Sequence, residues 1–480
     1  MIGESADSDG LVLASRPGRL VVAICVLGSC MLAIDGTVSR LALPAMADDL
    51  GLGFVSLQWV LGAYALAVAS VILLGGALSD QLGQRRVLLG GVTLFSLASL
   101  GCAAAPSVGW LLAARALEGV GAALIAPVSL AILESAIRSS DRSRAIGVWA
   151  ALSGVVGATA PFLGGWLLET TTWRWVYVLG PVAGATVAAL ARRGLPVRTA
   201  ARADRRIDLG GAVLCLAALG ALYLGLTSAA HHSVLTWNVG GSLAAAATAL
   251  LGFLLWEGRT AHPMLPLSTF ASDSFRASNA VTFFAYVAIN GFLFLVVVEL
   301  QVAVSLGPLA AGAALIPITV MSVLLSTRVA RMTERTGVRP PIAAGLAVCT
   351  AGCLLAARFD EHTSYVLGVL PATTVFGLGL ALLVGPLTSV ALGSLGVQHA
   401  GLASGINNAV ARVAGLLAFS ALPLLAGIDG DAYGDPSAFL DGFRAAMWIG
   451  AACLALGSLT TLLTVEGSRR VLAGGRCRSE

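Results

Sequence analysis

Gly76-Ala77-Leu78-Ser79-Asp80-Gln81-Leu82-Gly83-Gln84-Arg85-Arg86 is a short polar island between two long apolar runs. Gly76 and Gly83 permit backbone conformations closed to other residues. Asp80 lies close in sequence to the guanidinium groups of Arg85 and Arg86, a combination suited to a charge-assisted, hydrogen-bonded latch. The plainer reading is an ordinary turn whose arginines fix membrane topology. Either way, the flanking runs are expected to be helices that end at a common surface.

Composition extends that expectation to the whole chain. Of 480 residues, 57% are hydrophobic and 11% charged, and the mean hydropathy is +0.89. Apolar stretches of about 20 residues recur throughout, each long enough to cross a hydrocarbon core of roughly 30 Å. Lipid offers no partner to free backbone groups, so these runs should be helices; they do not alternate as barrel strands do. The fold class expected is therefore an all-α polytopic membrane protein. The net charge of +4 comes entirely from arginine, since the chain has no lysine. Those arginines collect at helix ends, where they set topology, so they indicate a lipid bilayer and no nucleic-acid partner. Seven of the eight cysteines lie in apolar runs and Cys477 in the tail. That is packing usage, with no disulfide framework and no metal spacing.

Candidate spans fall near 20–43, 57–79, 86–105, 108–134, 143–168, 175–193, 208–228, 235–256, 276–300, 309–330, 340–357, 364–391, 401–427 and 443–465. Residues 1–19 read as a mobile tail without a cleavable signal pattern. Arginines concentrate in that tail, in 80–86, in 135–144 (Arg138, Arg142, Arg144), in the connector 192–206, in 257–276, in 328–339 and in the C-terminal tail. The other set of loops carries Asp48, Asp49, Asp360, Glu361, Asp429, Asp431 and Asp435. An even span count with this bias places both termini in the cytoplasm of a cell-membrane protein. Ala330-Arg-Met-Thr-Glu334-Arg-Thr-Gly337-Val-Arg339 repeats the opening turn, with Glu334, Gly337 and Arg339 standing for Asp80, Gly83 and Arg85. Two related helical bundles around a central path are expected. One occupies 20–195 and the other 259–466, with a basic connector and two inserted spans at 196–258 and a second tail at 467–480.

An ionisable side chain inside a span costs a few kcal/mol unless it meets a partner or a wet cavity. Asp35 lies about 15 residues into span 1, roughly 22 Å along it at 1.5 Å per residue. Arg115 lies in span 4, which runs the opposite way, at a similar depth. The pair can share an aqueous cavity in which Asp35 exchanges a proton and Arg115 tunes it, or form a static ion pair between spans 1 and 4. Glu118, one turn on, can be a second acid, a cation anchor, or a protonated carboxyl bonded between helices. Glu299 is read as reaching the interface by snorkelling, and Arg412, beside Asn407 and Asn408, as too deep to do so. Asn290 reads as helix–helix glue. In span 5, Gly154, Gly157, Pro161, Gly164 and Gly165 make either a tight inert crossing or a bendable seal.

The opening stretch, with its form G-x-L-x-D-x-x-G-x-R-R, resembles the signature loop of the major facilitator superfamily, placed as there between spans 2 and 3. Leu32-Ala-Ile-Asp35-Gly-Thr37-Val-Ser-Arg-Leu-Ala42-Leu43-Pro44 resembles the span-1 motif of its fourteen-span drug:proton antiporter branch. Leu111 to Gly121 is similar to the span-4 motif linked to proton coupling, and Gly157 to Gly165 to the span-5 motif linked to antiport. Gln58-Trp59 to Tyr64, Trp173-Arg174-Trp175, Pro263 to Phe275, Pro308 to Pro317 and Ser404 to Arg412 are weaker echoes. The departures are Glu118 in place of glutamine, Ala160 before Pro161 in place of glycine, Arg40 in place of asparagine, and no asparagine after Trp175.

The resemblance implies two six-helix bundles plus two inserted helices and assigns proton coupling to Asp35, Arg115 and Glu118. It assigns a conformational latch to Gly76, Asp80, Gly83, Arg85 and Arg86, and gating to Gly157, Pro161, Gly164 and Gly165. Glu299, Asn290, Asn407, Asn408 and Arg412 are cavity candidates. The implied activity is proton-coupled export of a small hydrophobic substrate, with a cationic one among the options, by a protein working without a cofactor as a monomer. Without lysine there is no phosphate-binding G-x-x-x-x-G-K-[ST] loop, so nucleotide hydrolysis by that route is excluded. A transporter of a primary metabolite is the competing reading. A membrane-embedded transferase would need clustered acids for Mg²⁺, and Asp48-Asp49 have no matching cluster. His231-His232, in a loop, read as solvated rather than metal-binding.

Overall fold

The computed structural model describes residues 10–195, 208–229, 236–395, 400–429 and 435–464. Fourteen of its helical segments are long and apolar enough to cross a membrane, as the hydropathy pattern predicts. They are α1 (Arg16–Leu41), α3 (Phe54–Leu82), α4 (Gln84–Ala103), α5 (Val108–Ala136), α6 (Ser139–Thr170), α7 (Leu179–Gly194) with the 3-10 turn Trp173–Val178 before it, α8 (Leu209–Ala229) and α9 (Trp237–Glu257). There follow α10 (Asp273–Val302), α11 (Pro308–Ala313) with α12 (Ile316–Thr336) as one span, α13 (Arg339–Ala356), α14 (Leu370–Gly393), α15 (Ala400–Leu425) and α16 (Pro436–Thr464). The short helix α2 (Leu43–Leu50) prolongs the first span. Among the described residues there is no strand, only the isolated bridge Leu11–Ile137.

Two of the boundary shifts have a visible cause. The first span starts at Arg16, capped by the Ser15 hydroxyl, which accepts from the Gly18 N–H at 3.1 Å. Residues 11–13 are not loose: Leu11 N–H donates to Ala136 O, Arg138 N–H to Leu11 O, and Leu13 N–H to the Asp141 carboxylate. The last span starts at Pro436, seven residues before the apolar run begins, because Asp435 accepts from Ser437 and Ala438 and starts the helix while it is still polar. The connector arginines 198–206, His231-His232, Asp431 and the second tail lie outside the described residues.

The helices form two six-span bundles, α1 to α7 and α10 to α16, with the hairpin α8–α9 against their seam. Tyr223 of α8 fixes that hairpin on α3. Its hydroxyl donates to Gln58 O at 2.6 Å, its ring meets Trp59 edge-on at 4.7 Å, and the space it fills is where a side chain on Gly62 would begin. The bundle repeat seen in the sequence is also conformational. Gly83 and Gly337 both take positive φ, +89° and +84°, in the turns between α3 and α4 and between α12 and α13. Arg85 then donates to Arg192 O at 2.7 Å, in the last turn of α7, and Arg339 donates to Leu462 O, in the last turn of α16. Each bundle thus uses the arginine of its own turn to cap the C-terminus of its own last span, where carbonyls are unpaired and the helix dipole favours a cation.

At the end of the molecule away from the termini, here the distal end, the bundles touch. Phe54 stacks on Phe294 at 6.1 Å and meets Phe439 edge-on at 6.1 Å. Gln301 donates to Leu41 O at 3.3 Å, and Leu309 N–H to Glu169 at 3.2 Å. α6 lies directly on α11: the built Cβ of Gly165 would fall 2.5 Å from Leu309 Cα, and that of Gly312 2.4 Å from Pro161 O. One apolar core therefore runs from the distal end of the first bundle into the second. The passage between them is shut at this end. The terminus-side turns of α6 and α12 are largely exposed.

Candidate functional site

Charges that lipid would reject converge inside the first bundle. α1 and α5 run in opposite directions, and Asp35 and Arg115 sit about five and six turns from the terminus-bearing ends of their helices, which brings them level. Arg115 Nη1 lies 2.9 and 3.1 Å from the two Asp35 oxygens and 2.6 Å from Glu118 Oε2. Its Nε donates to Val60 O at 3.2 Å. The guanidinium carbon sits 4.5 Å from the Tyr64 ring centroid and 5.7 Å from that of Tyr177, which adds cation–π attraction. Ser39 donates to Asp35 Oδ1 at 3.2 Å. The side chains of Arg115, Glu118 and Asp35 are 1%, 0% and 7% exposed.

The three predicted coupling residues are thus one hydrogen-bonded group, with Asp35 and Arg115 in direct contact rather than across water. Glu118 does not reach the passage as a cation anchor would have to. It is sealed between α5, α4 and the 173–178 turn, where Cys102 donates to it at 3.6 Å and its Oε1 has no partner.

The other candidates separate. Asp80 makes no ion pair with Arg85 or Arg86 in this structure; it is exposed, as is Arg86, while Arg85 caps α7. Gln84 ties the turn to α5 by donating to Ala131 O and accepting from Ser135. In α6, Gly164 faces Val38 of α1 and Gly165 faces α11, whereas Gly157 has open space around its built Cβ. Glu299 does not snorkel. It is fully buried, and neither carboxyl oxygen has a hydrogen-bond partner. Being wholly out of contact with solvent or lipid space, it has no route to the interface. Asn407 is spent on α10, donating to Asn279 at 3.3 Å and Thr282 at 2.8 Å. Asn408 is exposed and bonded to its own helix at Ser404 O.

Asn290 is glue of a particular kind: its Oδ1 accepts from Arg40 Nη2 at 3.4 Å, joining α10 of one bundle to α1 of the other. Arg40 was not among the expected site residues. The signal is present in the sequence, an arginine inside an apolar span. Arg412 lies mid-span and exposed, less than one turn from Gly415, whose built Cβ meets Asn290 at 3.3 Å. At the distal surface the Trp173 indole N–H and the Arg174 guanidinium bind Asp49 at 2.9 and 2.5 Å and hold its carboxyl below the usual carboxylate range.

Residues 25–419 match the family described as Major Facilitator Superfamily. The chain is 33% identical over 412 residues to the multidrug resistance protein Stp of Mycobacterium tuberculosis, covering 85% of this chain and 76% of that one. It is 33% identical over 407 residues to the puromycin resistance protein pur8 of Streptomyces alboniger, covering 83% and 80%. With the cephamycin export protein CmcT of Amycolatopsis lactamdurans it shares 32% over 427 residues, covering 88% and 86%. Its fold matches the crystal structure of a D-xylose–proton symporter with a TM-score of 0.68 at 15% identity, covering 94% and 98%. It also matches a bacterial homologue of the human lysosomal transporter Spinster, with a TM-score of 0.67 at 15% identity, covering 95% and 99%. The chain therefore belongs to the Major Facilitator Superfamily, as a membrane transporter of its drug-efflux branch and not an enzyme.

Proposed function

We propose that this transporter exports small hydrophobic molecules in exchange for protons, by alternating access. It would work as a monomer in the cell membrane with both termini in the cytoplasm. One observation carries the coupling. A single guanidinium nitrogen of Arg115 serves both Asp35 and Glu118, and all three side chains are buried. One positive charge balances one carboxylate, so the second buried acid calls for a proton. Glu118, whose Oε1 has no partner, is the better seat for it in this closed state, since an orphan oxygen costs less on a neutral carboxyl than on a charged one. Asp35, which alone of the two acids keeps some exposure, is the acid that solvent reaches when the gates exchange.

In this reading the two proton states favour different packings of α1 against α5, and the bundles rock so that the distal α6–α11 contact parts and re-forms. The relatives named for multidrug resistance and antibiotic export support the direction of transport, and the arginine-rich loops support the orientation. The test uses protein reconstituted in liposomes with an imposed pH gradient and a fluorescent hydrophobic compound. Export should follow the gradient and stop when a proton ionophore collapses it. Export that persisted without a gradient would overturn the proposal.

A further inference from the structure

The interface between the bundles holds more positive charge than its acids balance. Arg40 projects from α1, and its side chain leans back toward the helix N-terminus, as helical side chains do. There it meets Asn290 across the bundle interface, and its buried Nε has no partner. Arg412 stands 12 residues from the start of α15, roughly 18 Å from that end, beyond the reach of snorkelling. It lies on the side of α15 that carries Gly415, three residues on, which is the side turned toward α10. Its neighbour Gly415 touches the same Asn290 that Arg40 grips. Among the described residues neither arginine makes an ion pair.

The acids nearby are Asp35, already bonded twice by Arg115, and Glu118, sealed behind it. Against three guanidinium groups they leave one or two positive charges over, depending on the proton count. An uncompensated guanidinium at membrane depth is expensive, and a planar fork of donors suits a carboxylate or sulfonate. A cationic substrate would meet repulsion here.

We propose that Arg40 and Arg412 form an anion-recognition pair in the passage, so that the exported molecule is an amphipathic organic acid whose acidic group docks between them. This rests on the export reading above and adds the substrate class. Asn290 positions Arg40.

The experiment compares two xanthene dyes of similar shape and opposite charge, anionic fluorescein and cationic pyronin, on the full-length protein in nanodiscs by fluorescence anisotropy. Fluorescein should bind at least tenfold tighter than pyronin. Arg412→Gln and Arg40→Gln should each weaken it roughly tenfold or more, the worth of one charge-assisted hydrogen bond. Arg412→Lys, which keeps the charge, should recover most of the affinity and guards against a folding artefact. Fluorescein binding no tighter than pyronin, or unchanged by both glutamine variants, overturns the assignment. Transport in proteoliposomes separates the two claims. Gradient-driven movement of pyronin but not fluorescein would overturn the anion site and leave export standing. Intact fluorescein selectivity in binding, with no gradient-driven movement of either dye, would strike at the export reading alone.

Discussion

A single methyl group at Gly165 should push the distal gate open. The built Cβ falls 2.5 Å from Leu309 Cα, 3.0 Å from Leu309 N and 2.9 Å from Pro308 O, all backbone atoms that cannot rotate away. The only relief for Gly165→Ala is to move α6 away from α11, and that is the motion by which the distal end would open. Overpacking of this kind costs about 1–3 kcal/mol, which moves a two-state equilibrium roughly 5- to 150-fold. Gly312→Ala, whose built Cβ falls 2.4 Å from Pro161 O across the same contact, should act alike. Gly157→Ala, in the same motif but with open space around it, should not. Spin labels at Thr171 and His362, exposed on distal loops of opposite bundles, would report the separation by pulsed electron resonance in a cysteine-replaced background. Both tight-contact variants should shift the distance distribution outward. An unchanged distribution, or an equal shift from Gly157→Ala, would refute the claim that these glycines set the gate.

Arg85→Gln and Arg339→Gln should each lower thermal stability by about 1 kcal/mol and by similar amounts, because each removes the cap from the last span of one bundle; a cost confined to one of them would contradict that equivalence. Glu299→Leu should stabilise the detergent-solubilised protein, since an orphan buried polar group costs roughly 1–3 kcal/mol; a lower melting temperature would assign the carboxyl a partner or a task. Asp49, held below the usual carboxylate range, contributes stability that is fully present above its unfolded value and lost as pH falls through its folded one. The melting difference between wild type and Asp49→Asn should therefore be constant at neutral pH and close on acidification, and a difference independent of pH would show that the Trp173–Arg174 clasp needs no charge.

The span count, the buried acid–arginine pair and the bundle repeat were legible in the sequence because each follows from the cost of polar groups in lipid. Twenty apolar residues must be a helix, and Asp35 and Arg115, opposite charges at one depth on neighbouring spans, satisfy each other at least cost. The partners chosen among several available were not legible. Arg85 could pair with Asp80 or with a helix end, and only packing of α7 beside the turn decides for Arg192 O. Asn407 and Asn290 look alike in sequence, yet one joins helices of the same bundle and the other joins the two bundles. Glu299 shows the limit most plainly. Position near a helix end suggests escape to the interface, but the packing around α10 leaves the side chain no exposed surface at all. Span boundaries moved for a related reason, since Ser15 and Asp435 start their helices in polar sequence that hydropathy cannot see.

Uphill and downhill transport by Asp35→Asn, measured side by side in proteoliposomes at equal protein content, test the coupling most directly. With its exchangeable proton gone but Arg115 still bonded to Glu118, the variant should equilibrate a preloaded compound down its own gradient. It should also fail to concentrate that compound against one when a pH gradient is imposed. Concentration at the wild-type level would contradict the role given to the buried cluster.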